Sequence, residues 1–393
     1  MADEPLIHWT EDEALRHARW RSERGATASP RVVLADDTLS ADAAYRMACE
    51  GTALLWRGDF HNARQLLLAL ARRIDRPPRR KSRAAPAAVA DEAPGAAFHR
   101  HRQAQSQRAR VLGQLLIELA GDHGVPLRRA PDHRQACSEA WGPGDGEPSV
   151  VSLRELLGVV SAFEWRKKGV PIPALGPAPD NRIHPHYGVF SPVRGEYVEM
   201  VAQAPLPPGA EALAFDIGTG TGVLAAVLAR RGVRRVCATE RDPRALACAR
   251  DNLARLGLTG TVELLDADLF PAAPGNRAGL VVCNPPWLPA RAGSPIERAV
   301  YDEDSAMLRG FLGGLSTRLL PGGEGWLILS DLAERLGLRR RDELLGWIDA
   351  AGLQVLGRID TRPKHPKASD VEDPLHAARA AEVTSLWRLG ARA

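Results

Sequence analysis

The stretch ALAFDIGTGTG, Ala212 to Gly222, decides the fold of this chain. Five of the six residues Ala212–Ile217 are apolar, and three glycines follow within five positions. An apolar run of strand length ending in a glycine turn reads as a buried strand that folds tightly back into a helix. The texture repeats downstream. RVCAT, TVELLD, LVVCN and GWLILS are strand-like, while Ala245–Leu256, Ser305–Leu320 and Arg341–Ala351 carry helical periodicity. Strands alternating with helices imply βαβ units and an α/β fold with a doubly wound, mainly parallel sheet. Ligands of such sheets sit beyond the carboxyl ends of the strands. The residues just after each strand are therefore the candidates for function.

Upstream the pattern differs. Residues 1–75 read as a helical N-terminal region, because Thr52–Arg73 repeats apolar residues at helical spacing around Leu54, Leu55, Ala63, Leu66, Leu67 and Leu70. Residues 76–97 are rich in Pro, Ala and Arg and read as a basic linker. Residues 98–180 read as a second helical region, with helices expected from Arg108 and from Val151. Residues 181–393, opening on a lead-in segment over 181–204, form the α/β domain.

Composition narrows the function classes. At 45% hydrophobic and 25% charged residues the chain matches an ordinary globular protein. No apolar run approaches the ~18 residues of a membrane span. The acidic start MADEPLIHWTEDE lacks a signal-peptide layout, which points to the cytoplasm. Five scattered cysteines without a CxxC pair argue against a disulfide framework or a zinc site. Between Arg76 and Arg110 nine Lys/Arg stand against two Asp/Glu, a local +7 in a chain of net +4. Such a segment either grips phosphates or is a solvated linker.

At the first strand end, Asp216, Gly218, Thr219, Gly220 and Gly222 form the turn. The third glycine comes one position too early for a dinucleotide fingerprint. Asp216 also stands where a nicotinamide enzyme is usually apolar, and a carboxylate there suits a ligand with a cationic amino-acid end. Both details favour S-adenosylmethionine over NAD. The second strand ends in Glu240, followed by Arg241; an acid at this place accepts ribose hydroxyl protons, unless it only caps the next helix. The third ends in DADLF, where Asp268 is placed to receive an adenine amine and Leu269 or Phe270 to cover the ring.

The fourth strand delivers Asn284, Pro285, Pro286 and Trp287. This tetrad has a clear use if the target is a planar NH2 group, whose delocalised lone pair attacks a methyl group poorly. The Asn284 side-chain oxygen and the Pro285 carbonyl can each accept one N–H, freeing the lone pair. The prolines stiffen that carbonyl. Trp287 offers a face for a flat base or amide.

Together these residues resemble the ordered motifs of class I S-adenosylmethionine-dependent methyltransferases. They are similar in particular to the branch that methylates amino or amide nitrogen through a [D/N]PP[F/Y/W] tetrad. That branch includes DNA and RNA adenine and guanine methyltransferases and release-factor glutamine methyltransferases. The resemblance spans about Ile183 to Leu389. It implies a Rossmann-like seven-stranded methyltransferase sheet, S-adenosylmethionine converted to S-adenosylhomocysteine, and no metal. HPHYGVFSPVRGEYVEMV (His184–Val201) resembles the segment that precedes the first motif in this branch. Phe190 and Pro192 would then face the methyl donor, with Tyr187 near the substrate mouth.

Two substrate classes stay open. Leu-Pro after the tetrad and the N-terminal layout lean toward protein glutamine. The basic 76–110 segment leans toward RNA or DNA, as does TRPKHPKASD, whose Arg362, Lys364 and Lys367 would overhang the strand ends between a sixth parallel and a final antiparallel strand. Nucleic acid is slightly favoured. YDEDS (Tyr301–Ser305) is expected to cap the following helix. A silent cofactor-binding module is the reading from another class; the intact Asp216, Asn284 and Trp287 argue against it.

Overall fold

The computed structural model describes residues 5–76, 94–272, 277–363 and 370–392. Two compact units divide the chain, Met1–Glu164 and Trp165–Ala393. Most of the expected linker (77–93) lies outside the described residues.

The first unit is not the helical region expected from its sequence. Strands β1 (Leu6–Glu11), β2 (Ala14–Arg21), β3 (Val32–Ala35), β4 (Ala53–Trp56), β5 (Leu115–Leu119) and β6 (Ser149–Ser152) form a six-stranded sheet in the order β1-β2-β6-β5-β4-β3. Helices α1 (Ala41–Cys49), α2 (Phe60–Ile74), α3 (Ala96–Leu112), α4 (Arg134–Trp141) and α5 (Leu153–Lys168) accompany it. Within Thr52–Arg73 the single expected helix is split. Ala53–Trp56 is a wholly buried strand, and the helical period of Ala63, Leu66, Leu67 and Leu70 begins only after Asp59 caps α2. A four-residue apolar run fits strand and helix alike, so periodicity does not assign it. The helices expected from Arg108 and Val151 each adjoin a strand in the same way, β5 following α3 and β6 preceding α5. The β1–β2 hairpin turns on Asp12 and Glu13 at positive φ, 49° and 62°, without the Asn-Gly that usually announces such a turn.

The second unit follows its sequence closely. A short ribbon, β7 (Val170–Pro171) with β8 (Arg182–Ile183), precedes α6 (Glu196–Gln203). Then come β9 (Ala214–Ile217), α7 (Val223–Arg230), β10 (Val236–Glu240), α8 (Pro243–Arg255), β11 (Val262–Asp266), β12 (Ala278–Cys283), α9 (Ala306–Arg318) and β13 (Leu319–Ser330). α10 (Leu332–Arg335), α11 (Arg341–Ala350), β14 (Leu353–Thr361), α12 (His376–Ala380) and β15 (Thr384–Ala391) complete it. The seven strands lie in the order β11-β10-β9-β12-β13-β15-β14. β15 runs antiparallel to both neighbours, so β14 keeps the common direction. The expected sixth parallel and final antiparallel strands are therefore present, with the last inserted between its predecessors.

Every residue of β12 is buried, and its side chains alternate between two cores. Leu280 and Val282 join α6 and α7 on one face; Val281 and Cys283 join α9 and α11 on the other. A strand covered on both faces carries apolar residues throughout, which explains the unbroken run before Asn284. Among the described residues no helix is long and apolar enough to cross a membrane.

Phe311 on α9 is fully buried and stacks on Phe270 at 5.9 Å between ring centres. Phe311→Ala is expected to destabilise the second unit by about 3–5 kcal/mol, read from denaturant unfolding.

Candidate active site

The glycine turn is built around one carboxylate. Asp216 on β9 is 1% exposed, and its Oδ2 accepts bonds from Thr219 Oγ1 (2.6 Å) and the Ala225 amide on α7 (2.9 Å). The amides of Gly218 and Thr219 donate to the Thr239 carbonyl on β10 (3.0 and 2.9 Å). Asp216 was expected to meet a ligand directly. Its Oδ2 ties the turn to the first turn of α7. Burial pushes its carboxyl up to about 6, against the pull of its two donors. Gly218 takes φ 70°, and a Cβ there would lie 2.6 Å from Met307 Cε. Gly220 takes φ 57° and faces open space.

Glu240 ends β10 half-buried. Its Oε2 accepts from the Gly220 amide (3.1 Å), and its Oε1 from the amides of Arg241 and Asp242 (2.9 Å each). Helix capping belongs to Asp242, which accepts from the Arg244 amide at 2.8 Å. Glu240 thus borders the glycine turn. Asp268 is exposed and pairs with the exposed Arg241 at 3.3 Å, an ion pair weakened by solvent. Leu269 takes φ 64° and packs toward Gly310, where a Cβ would approach its Cδ1 to 2.6 Å. Phe270, expected as a cover for a ring, is turned into the core against Phe311 and Gly314.

The tetrad leaves β12 at the same carboxyl edge. Asn284, Pro286 and Trp287 are half-buried and Pro285 is buried. The Trp287 indole N–H donates to Asn284 Oδ1 at 2.9 Å. One face of the indole, expected to be free for a substrate, is covered by Arg194, whose guanidinium lies 5.0 Å from the ring centre. Asp302 caps α9 as YDEDS suggests, accepting from the amides of Met307 (2.9 Å) and Leu308 (3.1 Å).

The lead-in segment reaches this edge through two residues that sequence reading missed. Asn252 on α8 is fully buried; its Oδ1 accepts from the His184 amide (2.8 Å) and its Nδ2 donates to the Thr221 carbonyl (3.1 Å). One side chain thereby joins the glycine turn to the lead-in. The second is Arg194, which bonds Glu382, 188 positions away. No local pattern announces a pairing of that span. Along the segment Tyr187 and Phe190 are half-buried and Pro192 is buried. Arg362 is exposed just beyond β14, and Lys364, His365 and Lys367 lie outside the described residues.

Residues 180–329 match the family described as Methyltransferase small domain. The second unit is a class I S-adenosylmethionine-dependent methyltransferase domain related to release factor glutamine methyltransferases. Among similar proteins is the release factor glutamine methyltransferase of Moorella thermoacetica, 34% identical over 149 residues, covering 33% of this chain and 53% of that protein. That of Cereibacter sphaeroides is 33% identical over 168 residues, covering 39% and 58%. A ribosomal protein L11 methyltransferase of Pelotomaculum thermopropionicum is 44% identical over 70 residues, covering 18% and 22%. The chain thus spans little more than half the length of the glutamine methyltransferases it matches. The residues present fit the family's cofactor: Gly220 leaves open the space a side chain would fill, and Glu240 and the exposed Asp268 border the same edge.

Two outcomes follow from this geometry. Asp216 has a folded-state value of about 6 against 3.8 for the free side chain. The folded protein therefore holds that proton where the unfolded chain has released it. Stability relative to Asp216→Asn is expected to fall as pH rises from about 4 to about 6 and to level off above; a pH-independent difference between the two unfolding curves would contradict this. Asn252→Ala strips partners from the His184 amide and the Thr221 carbonyl. It is expected to cost about 2–4 kcal/mol and to weaken S-adenosylhomocysteine binding by calorimetry.

Proposed function

We propose that the second unit transfers a methyl group from S-adenosylmethionine to the planar NH2 of a protein glutamine side chain. The observation that carries this reading is the Asn284–Trp287 tetrad at the carboxyl end of β12, beside the Asp216-centred glycine turn. The similarity to release factor glutamine methyltransferases supports a carboxamide over a base, reversing the slight lean of the sequence toward nucleic acid.

In this reading each residue has a physical task. Asp216, Thr219 and Glu240 shape the turn against which the cofactor lies. When bound, S-adenosylmethionine supplies an electrophilic methyl on a sulfonium. The Asn284 oxygen keeps a second lone pair beside its bond from Trp287. It accepts one N–H of the carboxamide, and the Pro285 carbonyl accepts the other. Holding both N–H groups draws the nitrogen away from conjugation and aims its lone pair. The Trp287 indole borders the amide plane and supplies an aromatic surface against it.

A nucleobase amine is the second reading, and one observation favours it. Helix α3 carries four arginines and no acidic residue, a composition suited to phosphates.

The deciding experiment incubates purified protein and radiolabelled S-adenosylmethionine with extract from cells lacking the gene. Label released by protease alone is the expected result. Label released by nuclease would replace glutamine with a base. Asn284→Ala is expected to lower turnover by on the order of 10²–10³ while S-adenosylhomocysteine affinity stays nearly constant. Equal loss of both would remove Asn284 from the chemistry.

A further inference from the structure

Arg194 lies two residues beyond Pro192, and the function derived so far does not use it. Its guanidinium covers one face of Trp287 at 5.0 Å. Two carboxylates nearly withdrawn from solvent hold it there. Nη2 bonds Glu382 Oε1 at 3.1 Å, and Nε lies 3.2 Å from Glu196 Oε1 without hydrogen-bond alignment. Glu382 also accepts from Ser330 Oγ at 2.7 Å, at the end of β13. Beside it, the Val383 amide donates to Asp331 Oδ1 at 2.7 Å. The lead-in segment, the end of β13 and the entry to β15 thus converge on one cation. On the other side of the indole's reach, Trp287 Nε1 donates to Asn284 Oδ1.

A primary amide presents an acceptor on one side and a donor on the other, and a half-turn exchanges them. A tetrad that must accept an N–H works only with the oxygen facing the substrate. An indole N–H held beside Asn284 selects the oxygen for its own bond and leaves the second lone pair for a ligand. The indole performs that selection only if its own torsions are fixed. A guanidinium clamped between buried carboxylates is a rigid surface to fix them against, and stacking on an aromatic face is a favoured use of arginine.

We infer that Arg194 is a positioning residue which, acting through Trp287, orients the Asn284 amide. The inference rests on the methyltransferase reading for its consequence, but its first step concerns this chain alone. It also gives tryptophan a purpose at this position, since phenylalanine has no donor for Asn284.

The test has two readouts on the full chain. In ¹H–¹⁵N spectra the protein contributes nine indole resonances, and Trp287→Phe identifies the one in question. Arg194→Ala is expected to shift or broaden that resonance, as Asn284→Ala does; an unmoved resonance in Arg194→Ala would overturn the inference. In label transfer to the extract, Arg194→Ala and Trp287→Phe are each expected to lose about tenfold in rate with the KM for S-adenosylmethionine unchanged. Arg194→Lys should restore part of the loss. The double variant Arg194→Ala/Trp287→Phe should be no slower than Trp287→Phe, whereas losses that multiply would mean that Arg194 acts independently of Trp287 and would overturn the inference. Should Arg194→Ala fail to fold, Arg194→Lys and Glu382→Gln carry the same spectral comparison. A wild-type protein that transfers no label would sink the proposed function while the resonance still decides the role of Arg194.

Discussion

A carboxylate removed from water organises the second unit. Asp216 sits within the parallel sheet at 1% exposure, and such a group is tolerated only where donors surround it. Thr219 and Ala225 are those donors. Satisfying Asp216 therefore draws the glycine turn down onto β9 and sets the start of α7. The turn in turn presents the Gly220 amide to Glu240 on the neighbouring strand. A structural requirement, finding partners for one buried acid, produces the shape of a binding edge.

The same edge receives residues from a long span of chain. β9, β10, β11 and β12 deliver Asp216, Glu240, Asp268 and Asn284 because parallel strands end on one side. The lead-in segment comes from outside the sheet, and two polar side chains place it at this edge, Asn252 near the glycine turn and Arg194 at the tetrad. Asn252 shares buried polar partners, and Arg194 is fixed by carboxylates while its guanidinium lies over the Trp287 ring. Such contacts are directional, so they specify where the segment lies as well as that it adheres. The tetrad is thus linked, through the Arg194 guanidinium over Trp287 and the Arg194–Glu382 pair, to the end of β13 and the entry to β15.

The sequence alone determined the architecture of the second unit and most of its edge. Strands β9 to β12 are short apolar runs bounded by glycine, acid or proline, and the helices are periodic, so local pattern and final structure agree there. Asp216, Gly218, Glu240 and Asn284 were legible because strand ends mark themselves. The first unit was not legible in the same way. Its strands at Ala53–Trp56 and Ser149–Ser152 have four residues each and adjoin helices, so a helical period absorbs them. Its hairpin turns on Asp12 and Glu13, and a glutamate does not signal positive φ.

Tertiary structure alone decided what the candidate side chains touch. That Asp216 holds the loop through Thr219 and Ala225 follows from how deeply the sheet buries it. Whether Phe270 covers a ring or joins the core depends on Gly314 and Phe311, residues of a helix more than forty positions on. The pairing of Arg194 with Glu382 spans 188 positions and exists because β15 inserts between β13 and β14. Periodicity and turn chemistry are properties of neighbours in sequence, and they name the strand ends. Burial and ion pairing belong to neighbours in space, and they set the contacts each side chain makes.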